Sequence, residues 1–73
     1  MDQFKVLIKF KGSDEQHLDT DWCDVAKLQD SLRRLLHGPA AVMGIISEIL
    51  VIDDGDSTVF LVQDGQQIWP EVA

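Results

Sequence analysis

The chain has one cysteine, no tyrosine, two prolines and, after Arg34, no lysine or arginine at all. Each shortage removes a class of protein. The single Cys23 forms no internal disulfide, whereas a secreted domain of 73 residues is usually stapled by several. A reducing cytoplasm is the expected compartment. The longest apolar run, Ile49 to Ile52, falls far short of the roughly 20 residues that cross a bilayer. The opening Met1-Asp2-Gln3 places no basic segment ahead of an apolar one, so no signal peptide and no membrane partner are expected.

The missing cations divide the chain in two. Residues 1–34 hold all six basic side chains (Lys5, Lys9, Lys11, Lys27, Arg33, Arg34) against seven acids. The remainder carries Glu48, Asp53, Asp54, Asp56, Asp64 and Glu71 with no base to balance them. The net charge of −7 therefore sits almost entirely beside the most apolar sequence. Acidity of this kind opposes direct nucleic-acid binding, which rewards clustered Lys and Arg. DNA mimicry fares no better. Duplex DNA has one charge per roughly 1.7 Å of axis, and these acids are too sparse to copy it. An acidic, apolar half suits docking onto a basic protein surface.

Phe4 to Lys11 alternates with period two. Phe4, Val6, Ile8 and Phe10 face one way, and Lys5, Leu7, Lys9 and Lys11 the other, which predicts a half-buried strand. Gly12-Ser13-Asp14 ends it, and a polar loop is expected through Glu15, His17 and Asp19. A helix then starts with Thr20 or Asp21 as cap. Trp22, Val25, Leu28, Leu32, Leu35 and Leu36 share its apolar face. Arg33, Arg34 and His37 complement the dipole at its end, and Gly38-Pro39 stops it. Residues 40–46 read either as a second helix opened by Pro39 or as a loop, and the loop is preferred because the sequence soon becomes β-branched. A hairpin follows through Asp53-Asp54-Gly55-Asp56, with Ser57 to Gln63 as its second strand. Asp64-Gly65 marks another tight turn, with a short fourth strand possible at Gln66 to Trp69.

The expected architecture is one α+β domain over residues 1–69 with a short tail over 70–73. It has a small antiparallel or mixed sheet of three or four strands and one helix, in β-α-β-β order. The two later strands are apolar on both faces: Ile49, Val51, Phe60 and Val62 on one, Leu50, Ile52, Val59 and Leu61 on the other. One helix covers one face of a sheet. The other face must be covered by the N-terminal strand curling over, by a second copy, or by a partner.

No catalytic motif is present: no Ser-His-Asp logic, no phosphate loop, no paired-cysteine motif. An enzyme is not expected, nor a cofactor. Cys23 lies near a helix start, which favours a thiolate, but Asp21 and Asp24 oppose it, so a structural role is expected. His17, Asp19 and Asp21 have loose metal-ligand spacing. The Asp53–Asp56 cluster fails the calcium-loop pattern, because the sixth position counted from Asp54 is Val59, not glycine. No metal site is expected. Three segments are candidate contact surfaces for a protein partner. Lys5, Lys9 and Lys11 form either a solvated, edge-protecting face or a basic stripe. Asp53, Asp54 and Asp56 form either a solvated turn or an acidic rim. Ile68 and Trp69 form either a closing plug of the core or an exposed anchor. Trp22 is expected in the core.

The opening Met-Asp-Gln-Phe-Lys-Val-Leu-Ile-Lys-Phe-Lys-Gly, the total length and the acidic, motif-free remainder resemble a small phage-encoded transcription regulator that binds host bacterial RNA polymerase. The resemblance implies engagement of the β and β′ subunits, inhibition of initiation by displacing the sigma factor, and read-through of terminators. It assigns no contact residues. The chain itself would be a monomer or weak dimer. Two other readings are a homodimeric structural or accessory phage protein and an acidic inhibitor of a host defence nuclease.

Overall fold

Alternation makes the first strand, β1 (Phe4–Phe10), with Val6 and Ile8 buried and Lys5, Leu7 and Lys9 on the opposite face. The computed structural model, which describes residues 3–71, continues with β2 (Gln16–Cys23), α1 (Val25–His37), α2 (Pro39–Met43), β3 (Ile46–Asp53), β4 (Thr58–Gln63) and β5 (Gln66–Trp69). The strands form one antiparallel sheet in the order β2-β1-β3-β4-β5. The α+β class is as expected, but the sheet has five strands instead of three or four, and the order is β-β-α-α-β-β-β.

The added strand is β2, which occupies the segment expected as a polar loop and helix cap. It is an edge strand, so one side of its backbone and most of its side chains meet solvent. Polar residues are compatible with that position. Only Thr20 and Cys23 are buried, opposite Val6 and Phe4. Register shifts on either side of Thr20 account for the broken alternation. Helix α1 consequently starts later. Its cap is Asp24, whose carboxylate accepts from the Lys27 N–H at 2.9 Å. Asp21, expected as a cap, instead accepts from its neighbour Trp22 N–H at 2.8 Å. Trp22, expected on the helix face, lies on β2 and is 42% exposed.

Both β2 and β3 run antiparallel to β1, so they share a direction, and α1 carries the chain across β1 between them. That crossover lays Leu28 and Leu35 on Val6, Ile8, Ile49, Val51 and Val62. Leu32 and Leu36 pack at the margin. Ser31 takes a place on the buried stripe because it has a polar partner across the gap. Thr20 Oγ1 and Ser31 Oγ are 2.9 Å apart, and Thr20 also donates to Asp19 Oδ2 at 2.9 Å. A hydroxyl has one proton, so Ser31 is the donor to Thr20. Arg34 completes the chain with a 2.7 Å bond to the same Asp19 oxygen, tying the edge strand to the helix.

Gly38 ends α1. Its N–H donates to the Arg34 carbonyl at 2.8 Å, and a Cβ here would collide with that same oxygen. Pro39 then opens the short α2, closed by Gly44 at φ 67°, a left-handed conformation that suits glycine. The helical alternative for the segment after Pro39 is therefore correct, over Pro39–Met43, and the preferred loop is not. After it come the two expected hairpins. Val59, assigned by strict alternation to the far face, packs against the core because the register slips between Val51 and Ile52. The sheet ends at Trp69; of the tail expected over 70–73, residues 72 and 73 lie outside the described residues.

Candidate functional site

One helix leaves one face of the sheet uncovered, and the registers define what lies there. Leu7 pairs with Leu18 on β2 and with Leu50 on β3; Leu50 pairs with Leu61, and Leu61 with Trp69. Directly opposed residues share a face. An apolar row, Leu18–Leu7–Leu50–Leu61–Trp69, therefore crosses all five strands. Its ends are the most open, with Leu18 52% and Trp69 49% exposed, while the three central leucines are partly covered by their neighbours.

The rows on either side are polar or mixed. On one, Lys9 pairs in register with Gln16 and Glu48, and Glu48 with Gln63. Lys9 Nζ lies 3.6 Å from Glu48 Oε2, and Gln63 Nε2 donates to Glu48 Oε1 at 2.9 Å. On the other, Lys5 sits opposite Ile52 and holds its ammonium 5.2 Å from the centre of the Trp22 ring. That contact places Trp22 on the uncovered face, so each edge strand contributes one exposed tryptophan to it.

The expected contact residues separate. Lys5 and Lys9 lie on the uncovered face, each engaged by a neighbour. Lys11 leaves the strand and borders a different depression, with Leu35 and Leu36 of α1, Gly44 and Ile46. The three lysines do not form one basic stripe. Asp53 is a structural residue of the β3–β4 turn: its Oδ1 accepts from Gly55 N–H at 2.9 Å and Ser57 N–H at 3.0 Å. Asp54 and Asp56 are exposed in that turn and, among the described residues, form no ion pair. Ile68 and Trp69 are both exposed on β5 instead of plugging the core, and only Trp69 belongs to the apolar row. Leu7, Leu18, Leu50 and Leu61 were not among the expected contacts. The spacing of Leu18, Thr20 and Trp22 was the available signal for β2, although the register shifts turn Thr20 to the buried face while Leu18 and Trp22 lie on the other.

Cys23, Asp19 and His17 each have neighbours within the fold. Cys23 is buried, its Sγ 3.4 Å from the Phe4 carbonyl. Burial, and then the Asp24 charge, push its thiol above the ordinary value, while Lys27 opposes them. That is the reverse of an activated nucleophile. Asp19 is occupied by Arg34 and Thr20, and His17 packs against Phe10 with ring centres 5.4 Å apart and planes tilted by 53°. No group of three His, Cys, Asp or Glu side chains among the described residues is placed to hold a metal ion. The charged residues lining the groove between β2 and α1 are Asp19, Asp21, Asp24, Lys27, Asp30 and Arg34, of which Asp24 caps the helix and Asp19 pairs with Arg34. No helix among the described residues is long and apolar enough to cross a membrane. The chain matches no known family model, no curated protein and no solved structure.

Proposed function

We propose that this chain is a non-enzymatic docking protein of the bacterial cytoplasm that binds host RNA polymerase through the uncovered face of its sheet. The observation that carries the docking reading is the apolar row crossing all five strands on the face that α1 leaves bare. The resemblance in length, opening segment and acidity supplies the partner, the β and β′ subunits. It also supplies the consequence: less initiation through sigma displacement, and more read-through at terminators.

Magnitudes favour a contact that uses both row and rim. Covering each half-exposed Leu or Trp contributes about 1 kcal/mol. Association costs at least about 4 kcal/mol in lost freedom. The half-exposed Leu18 and Trp69, with the more covered Leu7, Leu50 and Leu61 adding less each, therefore give weak binding alone, and charge complementarity around them must add to it. The exposure of Asp54 and Asp56 in the β3–β4 turn supports that reading.

Affinity capture tests the proposal. The tagged chain, incubated with bacterial lysate, is expected to retain the β and β′ subunits, and Leu18→Ser combined with Trp69→Ala to lose them. In a purified transcription reaction the unaltered chain should lower sigma-dependent initiation and raise terminator read-through. A bound fraction without polymerase subunits would contradict the proposal.

A further inference from the structure

We infer that the occupant of the uncovered face is an amphipathic α-helix of the partner, with an apolar stripe flanked on both sides by Lys or Arg. This rests on the docking reading above and specifies what docks. The apolar row runs across the strands, not along them. With strands about 4.8 Å apart, it measures about 19 Å from β2 to β5. At 1.5 Å per residue that is the length of about 13 residues of helix. The spacing along the row, about 4.8 Å, is close to the 5.4 Å helical pitch, so each turn can set one apolar residue on it. An extended segment in the same place would lay unpaired backbone N–H and C=O groups over leucine.

Charge lies on both long sides of the row. The end of β2 and the β3–β4 turn share one end of the strands, with Asp21, Asp53, Asp54 and Asp56. The β1–β2 loop and the β4–β5 turn share the other, with Asp14, Glu15 and Asp64 against the single cation Lys11. The two lysines on the face are already engaged, Lys5 by Trp22 and Lys9 by Glu48. A helix with cations on both flanks meets an excess of acids at both ends of the strands.

A second copy fits less well. The face measures about 24 by 20 Å, of the order of 500 Å², against about 800 Å² per partner in stable complexes. Each copy also carries −7. Single-stranded nucleic acid would find two tryptophans to stack on, but its phosphates would face the same acids.

The test uses the full chain and an 18-residue Leu/Lys peptide with one apolar stripe. Its controls are a peptide of the same composition with the stripe scrambled, the same stripe with Glu in place of Lys, and an oligo-dT strand. The striped Lys peptide is expected to bind in the micromolar range and shift the amide resonances of Leu7, Leu18, Leu50, Leu61 and Trp69. Leu18→Ser should weaken it at least fivefold; so should the pair Asp54→Ser and Asp56→Asn, which keeps an αL-tolerant residue at 56. Equal binding by the scrambled peptide, shifts confined to α1 and α2, or preferential binding of oligo-dT would overturn the inference. Concentration-dependent self-association abolished by Leu18→Ser would do so in favour of a second copy. Polymerase capture that depends on the row, without helix binding, would remove this inference and leave the docking reading standing. Helix binding at the row without polymerase capture would remove the polymerase reading alone.

Discussion

The two faces of the sheet are built from the same strands and nearly the same residue types, yet they end in different states. On the helix side, Val6, Ile8, Ile49, Val51 and Val62 are closed over by Leu28 and Leu35, and Val6 and Val51 are fully buried. On the other side, Leu7, Leu50 and Leu61 are only partly covered, and the row ends in the exposed Leu18 and Trp69. Strand alternation assigns a residue to a face, but only a second layer decides whether that face becomes core. Apolar character is necessary for both roles and distinguishes neither.

The contrast predicts a graded response to substitution. The largest loss of stability should come from the covered side. Leu35→Ala removes a side chain 4% exposed, and a cost of about 3 kcal/mol is expected for the cavity. In so short a chain that is a large share of the total, readable as a lower urea midpoint at unchanged slope. Next is the polar tie between edge strand and helix. Thr20→Val leaves the buried Ser31 without its acceptor, with an expected cost of about 1–2 kcal/mol. Thr20→Ser, which restores the hydroxyl, should recover most of it. A Val substitution with no cost would mean that β2 is held by backbone pairing alone.

A smaller effect should appear at alkaline pH. Burial raises the Cys23 thiol above its ordinary value of 9.0, so the unfolded chain releases that proton first. The stability associated with the protonated thiol is fully present below the unfolded value and is lost as pH rises through the folded one. The unaltered chain should therefore lose stability above about pH 9 more steeply than Cys23→Ala, measured by urea denaturation across that range. Parallel profiles would contradict the assignment.

Much of this architecture was legible in the sequence, and the failures have physical causes. The alternation of Phe4–Phe10, the Gly38-Pro39 break and the Asp64-Gly65 turn each express a local backbone requirement that acts without tertiary help. The surplus apolar face was legible too, from Leu50, Ile52 and Leu61 alternating against Ile49, Val51 and Val62. The strand β2 was not. Trp22, Val25 and Leu28 happen to fall at three-residue steps across a strand end and a helix start, and this mimics a helical stripe. Asp21 and Asp24 are equally good caps locally; which one acts depends on β1 pairing with Thr20 and Cys23, a contact between distant residues. The row on the uncovered face was hidden for the same reason. Leu18 and Leu7 become neighbours only once β2 exists, and Lys11 leaves the lysine face only because its N–H bonds the Ile45 carbonyl at 2.9 Å beyond the strand.

The most direct test of the contrast between the two faces is one variant measured two ways. Leu18→Ser combined with Trp69→Ala should change the unfolding free energy by no more than about 2 kcal/mol, because both side chains are half exposed already and only their covered halves are lost. The same variant should lose capture of RNA polymerase from lysate. A folded variant that still retains polymerase as well as the unaltered chain would contradict the claim that the uncovered face is the docking surface.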